Sequence, residues 1–232
     1  MALQSARMVI YGVNPVREAL AAKRRRVKRI WATHPEEWPN AERADAGEIA
    51  GRCGSDDHQG VCAEVGAYPY AGAHELLEAD DALVVVLDQV QDPRNLGAVA
   101  RVAECAGANG LVLPERRSAE VTPAACKASA GAVEHLPVAR VRNIADFLDD
   151  AKKAGAWAYG AAADAPTTYD EPDYSGRVIL VMGSEGRGLR PRVAEHCDQL
   201  ISLPILGHVE SLNVSTAAAA ILYGILQSRR KG

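Results

Sequence analysis

Two stretches near the end of the chain decide the fold. They read VILVMGSEGRGLR (178–190) and LISLPILGHVESLNVSTAAAAILYGIL (200–226). Each starts as a strand-like aliphatic run and continues into a loop of glycine and small polar residues. The second loop opens directly into an alanine-rich helix. Open α/β sheets bind their ligands in loops of this kind, at the carboxyl ends of the strands. Glu185, Ser211 and Asn213 are therefore candidate site residues.

A third stretch, LDQVQDPRNLGAVARVAECAG (87–107), has the same layout and contributes Asn95 and Arg101. Continuous apolar runs such as LVVVLDQV are typical of strands that are covered on both faces. From Leu83 onward, strands and helices alternate, which predicts a mostly parallel sheet with right-handed crossovers. The predicted strands cover 83–90, 110–114, 137–141, 157–163, 178–183 and 200–205, and the predicted helices cover 92–108, 122–136, 143–155 and 211–230.

The chain before this region reads as a separate small α/β domain over residues 1–70, followed by a linker over 71–82 and the larger domain over 83–232. Asn14 is a plausible N-cap for the first helix, with Pro15 at the first helical position. Within this domain we expect strands near 27–33 and 58–65 and a short helix within 42–54.

Composition and motif spacing exclude several classes of protein. No apolar run reaches the ~18 residues that a membrane-spanning helix needs, and the first residues lack a signal-peptide core. Five cysteines without a CxxC pair indicate buried thiols in a reducing compartment, so we expect a cytoplasmic protein. The six histidines show no HxH or HxxxH spacing, so no metal site is expected.

Familiar nucleotide-binding loops are also missing. The turn after the first large-domain strand, DQVQDPRN, contains no glycine, whereas a dinucleotide site needs GxGxxG there. The same absence argues against a Rossmann-type methyltransferase. The glycines of GSEGRG (183–188) have the wrong spacing, and no GxxxxGK[ST] loop is present.

A compact basic block, KRRRVKR (23–29), stands out in a chain with a net charge of −4. Clustered Lys and Arg side chains are typical of contacts to nucleic-acid phosphates, so Arg24, Arg25 and Arg26 are candidate RNA-binding residues. The alternative is a helix terminus, where cations are favourable. In that case the RNA path would lie among other basic residues, namely Arg116, Arg117, Lys127 and Arg187.

Three motifs, in order and with their spacing, resemble those of the SpoU (TrmH-like) RNA ribose 2′-O-methyltransferases of the SPOUT superfamily. NLGAVARVAECAGA (95–108) is similar to the first motif, GSEGRG to the second and LPILGHVESLNVS (203–215) to the third. Ile205 replaces the methionine of the third motif. IYGVNPVREAL (10–20) and HQGVCAEV (58–65) resemble the RNA-binding domain of the ribosomal-RNA branch.

The resemblance implies a parallel-sheet SPOUT domain with a C-terminal trefoil knot, preceded by a small domain similar to ribosomal protein L30e. It implies S-adenosyl-L-methionine as methyl donor, held by Gly183, Leu203 and Leu212, and a homodimer that shares its substrate site. The implied substrate is ribosomal RNA, with 23S RNA and guanosine favoured. A tRNA-modifying enzyme and a non-catalytic RNA-binding or ribosome-assembly protein stay open as alternatives.

In that family the matching arginine, Arg101, is the proposed activator of the 2′-hydroxyl. Arg has a pKa above 12, so neutralising it near pH 7 costs at least roughly 7 kcal/mol. We therefore favour a clamp on a phosphate or developing alkoxide, with base action left open. Asn95 and Asn213 would orient Arg101 or the ribose, while Ser211 and Glu185 would fix the loops, Glu185 through an arginine.

One geometric condition accompanies these roles. On an ideal helix Asn95 and Arg101 lie about 120° apart, from roughly 100° per residue. Both can face one site only if Asn95 lies in the loop before the helix, which is what we expect.

Overall fold

The computed structural model of the protein describes residues 8–209 and 211–230 and contains two β-sheets. The ends of the two predicted domains, residues 1–7 and 231–232, lie outside the described residues, as does Glu210. The smaller sheet has the strand order β1-β4-β2-β3, and β4 is antiparallel to both β1 and β2. Its elements are β1 (Met8–Tyr11), α1 (Val13–Ala22), β2 (Val27–Ala32), β3 (Glu42–Arg43), α2 (Ala46–Cys53) and β4 (Val61–Val65).

Helix α1 begins earlier than the sequence predicted. Gly12, at φ 97°, is its N-cap and turns the chain directly from β1 into the helix, a backbone conformation that favours glycine. Asn14 is therefore an exposed residue inside the first turn, and the prediction that it caps the helix is wrong. Helix α2 is closed at its start by a reciprocal capping box between Asp45 and Glu48.

The larger sheet has seven strands in the order β7-β6-β5-β10-β8-β11-β9, and every pair of neighbours is parallel. This confirms the predicted α/β class with a parallel sheet. Its strands are β5 (Leu83–Leu87), β6 (Gly110–Pro114), β7 (Val138–Val141), β8 (Ala156–Ala161), β9 (Thr167–Thr168), β10 (Arg177–Met182) and β11 (Gln199–Ser202). Its helices are α3 (Pro93–Cys105), α4 (Pro123–Ala128), α5 (Ile144–Lys153), α6 (Pro191–Glu195) and α7 (Val214–Arg229).

Three elements of the larger domain depart from the prediction. The helix expected over 122–136 ends at Ala128, because Gly131 adopts a left-handed conformation (φ 89°) and a separate 3₁₀ turn follows over Ala132–Glu134. The two-residue strand β9 and the short helix α6 were not predicted. Both are too short to produce a recognisable hydrophobic period.

The apolar core lies on both faces of the large sheet. On one face, α3 packs against α4 and α7, and this cluster continues without interruption into the small sheet through residues such as Ile10 and Val16. On the other face, α5 packs against β8, and the predicted linker contributes the buried side chains of Leu76 and Leu77. Within the described part of the chain, no helix is long and apolar enough to cross a bilayer.

Candidate active site

One carboxylate brings the three sequence motifs together. Asn95 lies in the first turn of α3, Glu185 in the loop after β10, and Asn213 is the N-cap of α7. The Nδ2 of Asn95 donates to Oε1 of Glu185 at 3.1 Å, and the Nδ2 of Asn213 donates both to Oδ1 of Asn95 at 3.0 Å and to Glu185. The backbone N–H of Val214 donates to the same oxygen of Glu185 at 3.3 Å. We call Asn95, Glu185 and Asn213 the amide–carboxylate network.

The position of Glu185 at a helix N-terminus favours its negative charge. Its carboxylate lies at the N-terminus of α7, where the helix dipole and the free backbone N–H groups favour an anion. Asn213 fixes the same helix end, since its Oδ1 accepts hydrogen bonds from the N–H of Ser215 at 2.9 Å and from its hydroxyl at 2.6 Å. Among the described residues Glu185 thus bonds amide groups and pairs with no arginine, so the arginine predicted to hold it is not found there.

The loop after β10 is a tight reversal that only glycine permits. Ser184 and Gly188 exchange two backbone hydrogen bonds, of 3.2 and 2.9 Å. A Cβ atom on Gly183 would lie 2.1 Å from the carbonyl carbon of Gly188, where no side chain fits. Gly186 and Gly188 have φ angles of 75° and 66°, in the left-handed region. The glycine spacing thus holds Glu185 at the tip of a closed turn.

A buried carboxylate anchors the end of this loop and was missed by the sequence reasoning. Asp88, fully buried at the end of β5, accepts hydrogen bonds from the backbone N–H of Arg190 at 2.9 Å and from its Nε at 2.7 Å. The available signal was an aspartate placed directly after a fully apolar strand, since an inward-pointing charge there needs a fixed partner.

A pocket of about 290 Å³ adjoins the network. The three residues predicted to hold the cofactor, Gly183, Leu203 and Leu212, all line it, and so do Glu185 and Ser211. The rest of the wall is small or aliphatic, with Ala161, Ala162, Ala163, Ile201, Ile205, Val214 and Ile221. Aliphatic walls with a few backbone polar groups suit a flat heteroaromatic ring, and the volume is close to the lower end of the ~300–1,000 Å³ range of ligand pockets.

Arg101 does not join the network. Asn95 is the third residue of α3, whose N-cap is Asp92, so the expectation that Asn95 precedes the helix is wrong. Pro93 starts the helix early because its fixed φ suits the first helical position. Asn95 therefore faces Glu185, while Arg101 lies about 120° around the helix. The Arg101 side chain is exposed and, among the described residues, makes no hydrogen bond or ion pair.

Two arginines of the basic block join the small sheet to the larger part of the chain. The Nε of Arg25 donates to Oε2 of Glu134 at 2.9 Å, its Nη2 donates to Oε1, and both side chains are almost fully buried. Arg24 donates to the carbonyl oxygens of Leu136 at 3.1 Å and Pro69 at 3.4 Å. The assignment of Arg25 to RNA phosphates is thereby corrected, because its guanidinium is buried. Arg24 is half-buried, and two of its nitrogens bond backbone carbonyl oxygens. Arg26 is exposed and stays a candidate.

A second depression, of about 340 Å³, shares Glu185 and Val214 with the apolar pocket. Gln89, Gln91, Asn95 and Arg187 also line it. An apolar pocket and a polar one thus meet at Glu185, which suits a reaction between two ligands. Within the described residues no cluster of three or more His, Cys, Asp or Glu side chains could hold a metal ion.

Family models match both sheets. Residues 82–223 match the SpoU rRNA Methylase family, and residues 9–71 match the family described as RNA 2′-O ribose methyltransferase substrate binding. The first match covers more than half of the chain and includes all three motifs of the network.

Individual proteins agree with the family models. A 23S rRNA (guanosine-2′-O-)-methyltransferase, RlmB of Pseudomonas putida, is 38% identical over 239 residues, which cover 95% of this chain and 96% of that protein. The crystal structure of the SpoU methyltransferase AviRb from Streptomyces viridochromogenes, in complex with the cofactor AdoMet, superposes with a TM-score of 0.83 at 25% identity over 97% of this chain and 91% of that one.

A third relative covers less of the chain. The crystal structure of the A. aeolicus TrmH/SpoU tRNA modifying enzyme superposes with a TM-score of 0.59 at 26% identity, over 68% of this chain and 81% of that one. The matched family models and the near full-length relative confirm the resemblance drawn from the motifs, and the chain belongs to the SpoU family of RNA 2′-O-ribose methyltransferases.

Proposed function

We propose that the protein methylates the 2′-hydroxyl of a guanosine ribose in 23S ribosomal RNA, with S-adenosyl-L-methionine as methyl donor. The observation that carries the proposal is the amide–carboxylate network, which joins all three motifs at the rim of the apolar pocket. When bound, the donor supplies a methyl group attached to a sulfonium. The sulfonium becomes a neutral thioether when the methyl group is transferred, so the leaving group needs no acid.

The pocket fits that donor. Leu203 and Leu212 offer aliphatic surface for an adenine ring, and Gly183 lacks the side chain that would cover its backbone. Ser211 lines the same pocket. Backbone groups of these strand-end loops can hydrogen-bond the edge of the base, so few polar side chains are needed.

The reaction then depends on positioning and on removing a proton from a weakly acidic hydroxyl. Asn95 keeps one N–H and one oxygen lone pair with which to orient the ribose. Asn213 spends its two N–H groups on Asn95 and Glu185 and its oxygen on Ser215, so it positions Asn95. Arg101, with no partner in the described residues, is free to clamp a substrate phosphate or the developing alkoxide.

A homodimer explains how Arg101 reaches the reaction. In one protomer, Arg101 lies on a different side of α3 from Asn95. Near the pocket, large apolar side chains are exposed, among them Leu206 at 98% and Val209 at 72%. Monomers seldom leave such patches uncovered. A second copy covering this surface would both bury these apolar side chains and complete the substrate site. The trefoil knot and the cytoplasmic location remain part of the proposal.

Ribosomal RNA is favoured over tRNA by the small sheet. The relative named for 23S rRNA spans 95% of this chain, whereas the structure named for tRNA modification covers only 68% of it. The substrate-binding family model falls on residues 9–71, the part that includes the small sheet.

The test replaces Arg101 by alanine and compares it with Arg230→Ala, an exposed arginine at the far end of α7. Methyl transfer to unmodified 23S RNA should fall by about 10²–10³-fold in Arg101→Ala, as when one charge-stabilising donor is lost. The affinity for S-adenosylmethionine, measured by calorimetry, should not change in either variant. Near wild-type turnover of Arg101→Ala would remove the assignment, and a wild-type protein that binds no donor would support the non-catalytic alternative.

A further inference from the structure

The RNA surface has to be sought again, because Arg24 and Arg25 are engaged in the sheet junction. Among the described residues, most Lys and Arg side chains make a hydrogen bond, an ion pair or an aromatic contact within the protein. Five exposed arginines of the large sheet's carboxyl edge have no such partner there: Arg94, Arg116, Arg117, Arg142 and Arg187. We call these five the edge arginines.

The edge arginines follow the strand order. Arg142 comes directly after β7, Arg116 and Arg117 lie after β6, Arg94 lies at the start of α3 after β5, and Arg187 lies in the loop after β10. The strands β7, β6, β5 and β10 are consecutive neighbours in the sheet. Since neighbouring strands lie about 4.8 Å apart, the row extends over roughly 15 Å.

Hydrogen bonds hold these loops side by side. The carbonyl oxygen of Val141 accepts from the N–H of Glu115 at 2.8 Å, and that of Val90 accepts from the N–H of Ala119 at 2.8 Å. The last member, Arg187, lines the polar depression beside Asn95 and Glu185. The row is therefore a continuous surface that ends at the candidate active site.

Carboxylates in the same loops do not neutralise the row. Asp88 is paired with Arg190, Glu120 with Arg140, and the side chain of Asp92 caps α3. Glu185 is held by amide groups, which leaves Glu115 as the one carboxylate of these described loops without a side-chain contact of its own. An unpaired row of guanidinium groups along one edge concentrates positive potential there, although the chain as a whole has a net charge of −4, and this attracts an anion.

From this arrangement we infer that the edge arginines bind consecutive backbone phosphates of the RNA strand that enters the active site. The inference rests on the proposed function and assigns the path of its substrate. Planar guanidinium groups suit phosphate oxygens, and phosphate contacts fix register without reading sequence. The strand would run from the loop after β7 toward Arg187 and deliver its ribose to the network.

The test neutralises the distal part of the row with the triple variant Arg116→Gln/Arg117→Gln/Arg142→Gln. Its control is Arg230→Gln, which removes an exposed arginine near the opposite, amino-terminal edge of the same sheet. The neighbouring Arg229 marks that edge, because its guanidinium donates to the carbonyl oxygen of Asp81, just before β5. The probe is a fluorescent single-stranded oligouridylate of about 20 nucleotides, longer than typical site sizes. Its affinity is measured by anisotropy over a series of salt concentrations.

Each lost phosphate contact lowers the slope of log affinity against log salt by about 0.7 on a single strand. The triple variant should therefore lose roughly 2 from the slope and bind about a hundredfold more weakly at 0.1 M salt, converging with wild type near 1 M. The Arg230→Gln slope should equal that of wild type. An unchanged slope in the triple variant, or an equal loss in the control, overturns the inference.

Donor binding separates this result from the proposed function. If wild type binds S-adenosylmethionine and methylates 23S RNA while the triple variant keeps the wild-type salt slope, the phosphate path fails and the function stands. If the triple variant loses its slope but wild type transfers no methyl group, the path stands as an RNA-binding surface and the enzymatic proposal fails.

Discussion

Breaking the buried ion pair between Arg25 and Glu134 should cause a large loss of stability. Replacing Glu134 by leucine keeps a side chain of similar size but leaves the Arg25 guanidinium, which is 2% exposed, without a counter-charge. Burial disfavours the charged form of Arg25, yet the hydrogen bonds and charge of Glu134 outweigh it and raise the pKa of Arg25. Removing one partner of such a pair costs about 3–5 kcal/mol in the free energy of unfolding.

Equilibrium urea unfolding, followed by circular dichroism and tryptophan fluorescence, measures this loss. For a chain of this length it corresponds to a fall in Tm of about 6–20 °C. The double variant Arg25→Met/Glu134→Leu should recover most of the loss, because no buried charge is then left unpaired. The control is Arg29→Met, which breaks a similar two-bond pair with Glu42 on the surface, where both side chains are about half exposed. That variant should unfold close to wild type.

The reasoning is refuted if Glu134→Leu loses less than about 1 kcal/mol, the value of an exposed pair. The same holds if the double variant is as unstable as Glu134→Leu, because the loss of stability would then come from altered packing and not from an unpaired charge. Unfolding curves that differ between the two probes would show a populated intermediate, and the loss would then be measured for each step separately.

Two further predictions concern the pocket and the thiols. Gly183→Ala should weaken S-adenosylmethionine binding at least tenfold in calorimetry, because the new Cβ would lie 2.1 Å from the carbonyl carbon of Gly188. The control, Gly51→Ala, adds a methyl group on the open surface of α2 and should bind the donor normally. Equal affinities of the two variants would contradict the steric argument. Exposed Cys105 and half-buried Cys53 should react with a thiol reagent at mildly alkaline pH, whereas burial raises the pKa of Cys126 and Cys197 to about 12 and keeps both thiols protonated. A fast phase that survives in the double variant Cys53→Ser/Cys105→Ser would contradict this.

The sequence determined the large sheet and the family almost completely. Long apolar strands such as 83–87 and 178–182 carry their own signal, and the glycines at 183, 186 and 188 are required by the backbone of the turn itself. The resemblance also selected the residues that line the pocket, since Gly183, Leu203 and Leu212 all lie on its wall. These features depend on local backbone geometry and on alternation over short distances, which sequence patterns report directly.

Only the tertiary structure decided what each polar side chain contacts. KRRRVKR has the composition of an RNA-binding patch, yet Arg25 is buried because a glutamate 109 residues away lies opposite it. Asn95 and Arg101 belong to one motif, but the start of α3 at Pro93 turns them to different sides of the helix. Asp88 has its partner at Arg190 and Glu185 at Asn213, across loops brought together by strand order. The role of a charged side chain depends on the groups that contact it. In a parallel sheet these groups come from distant parts of the chain, so spacing in the sequence does not predict the contact.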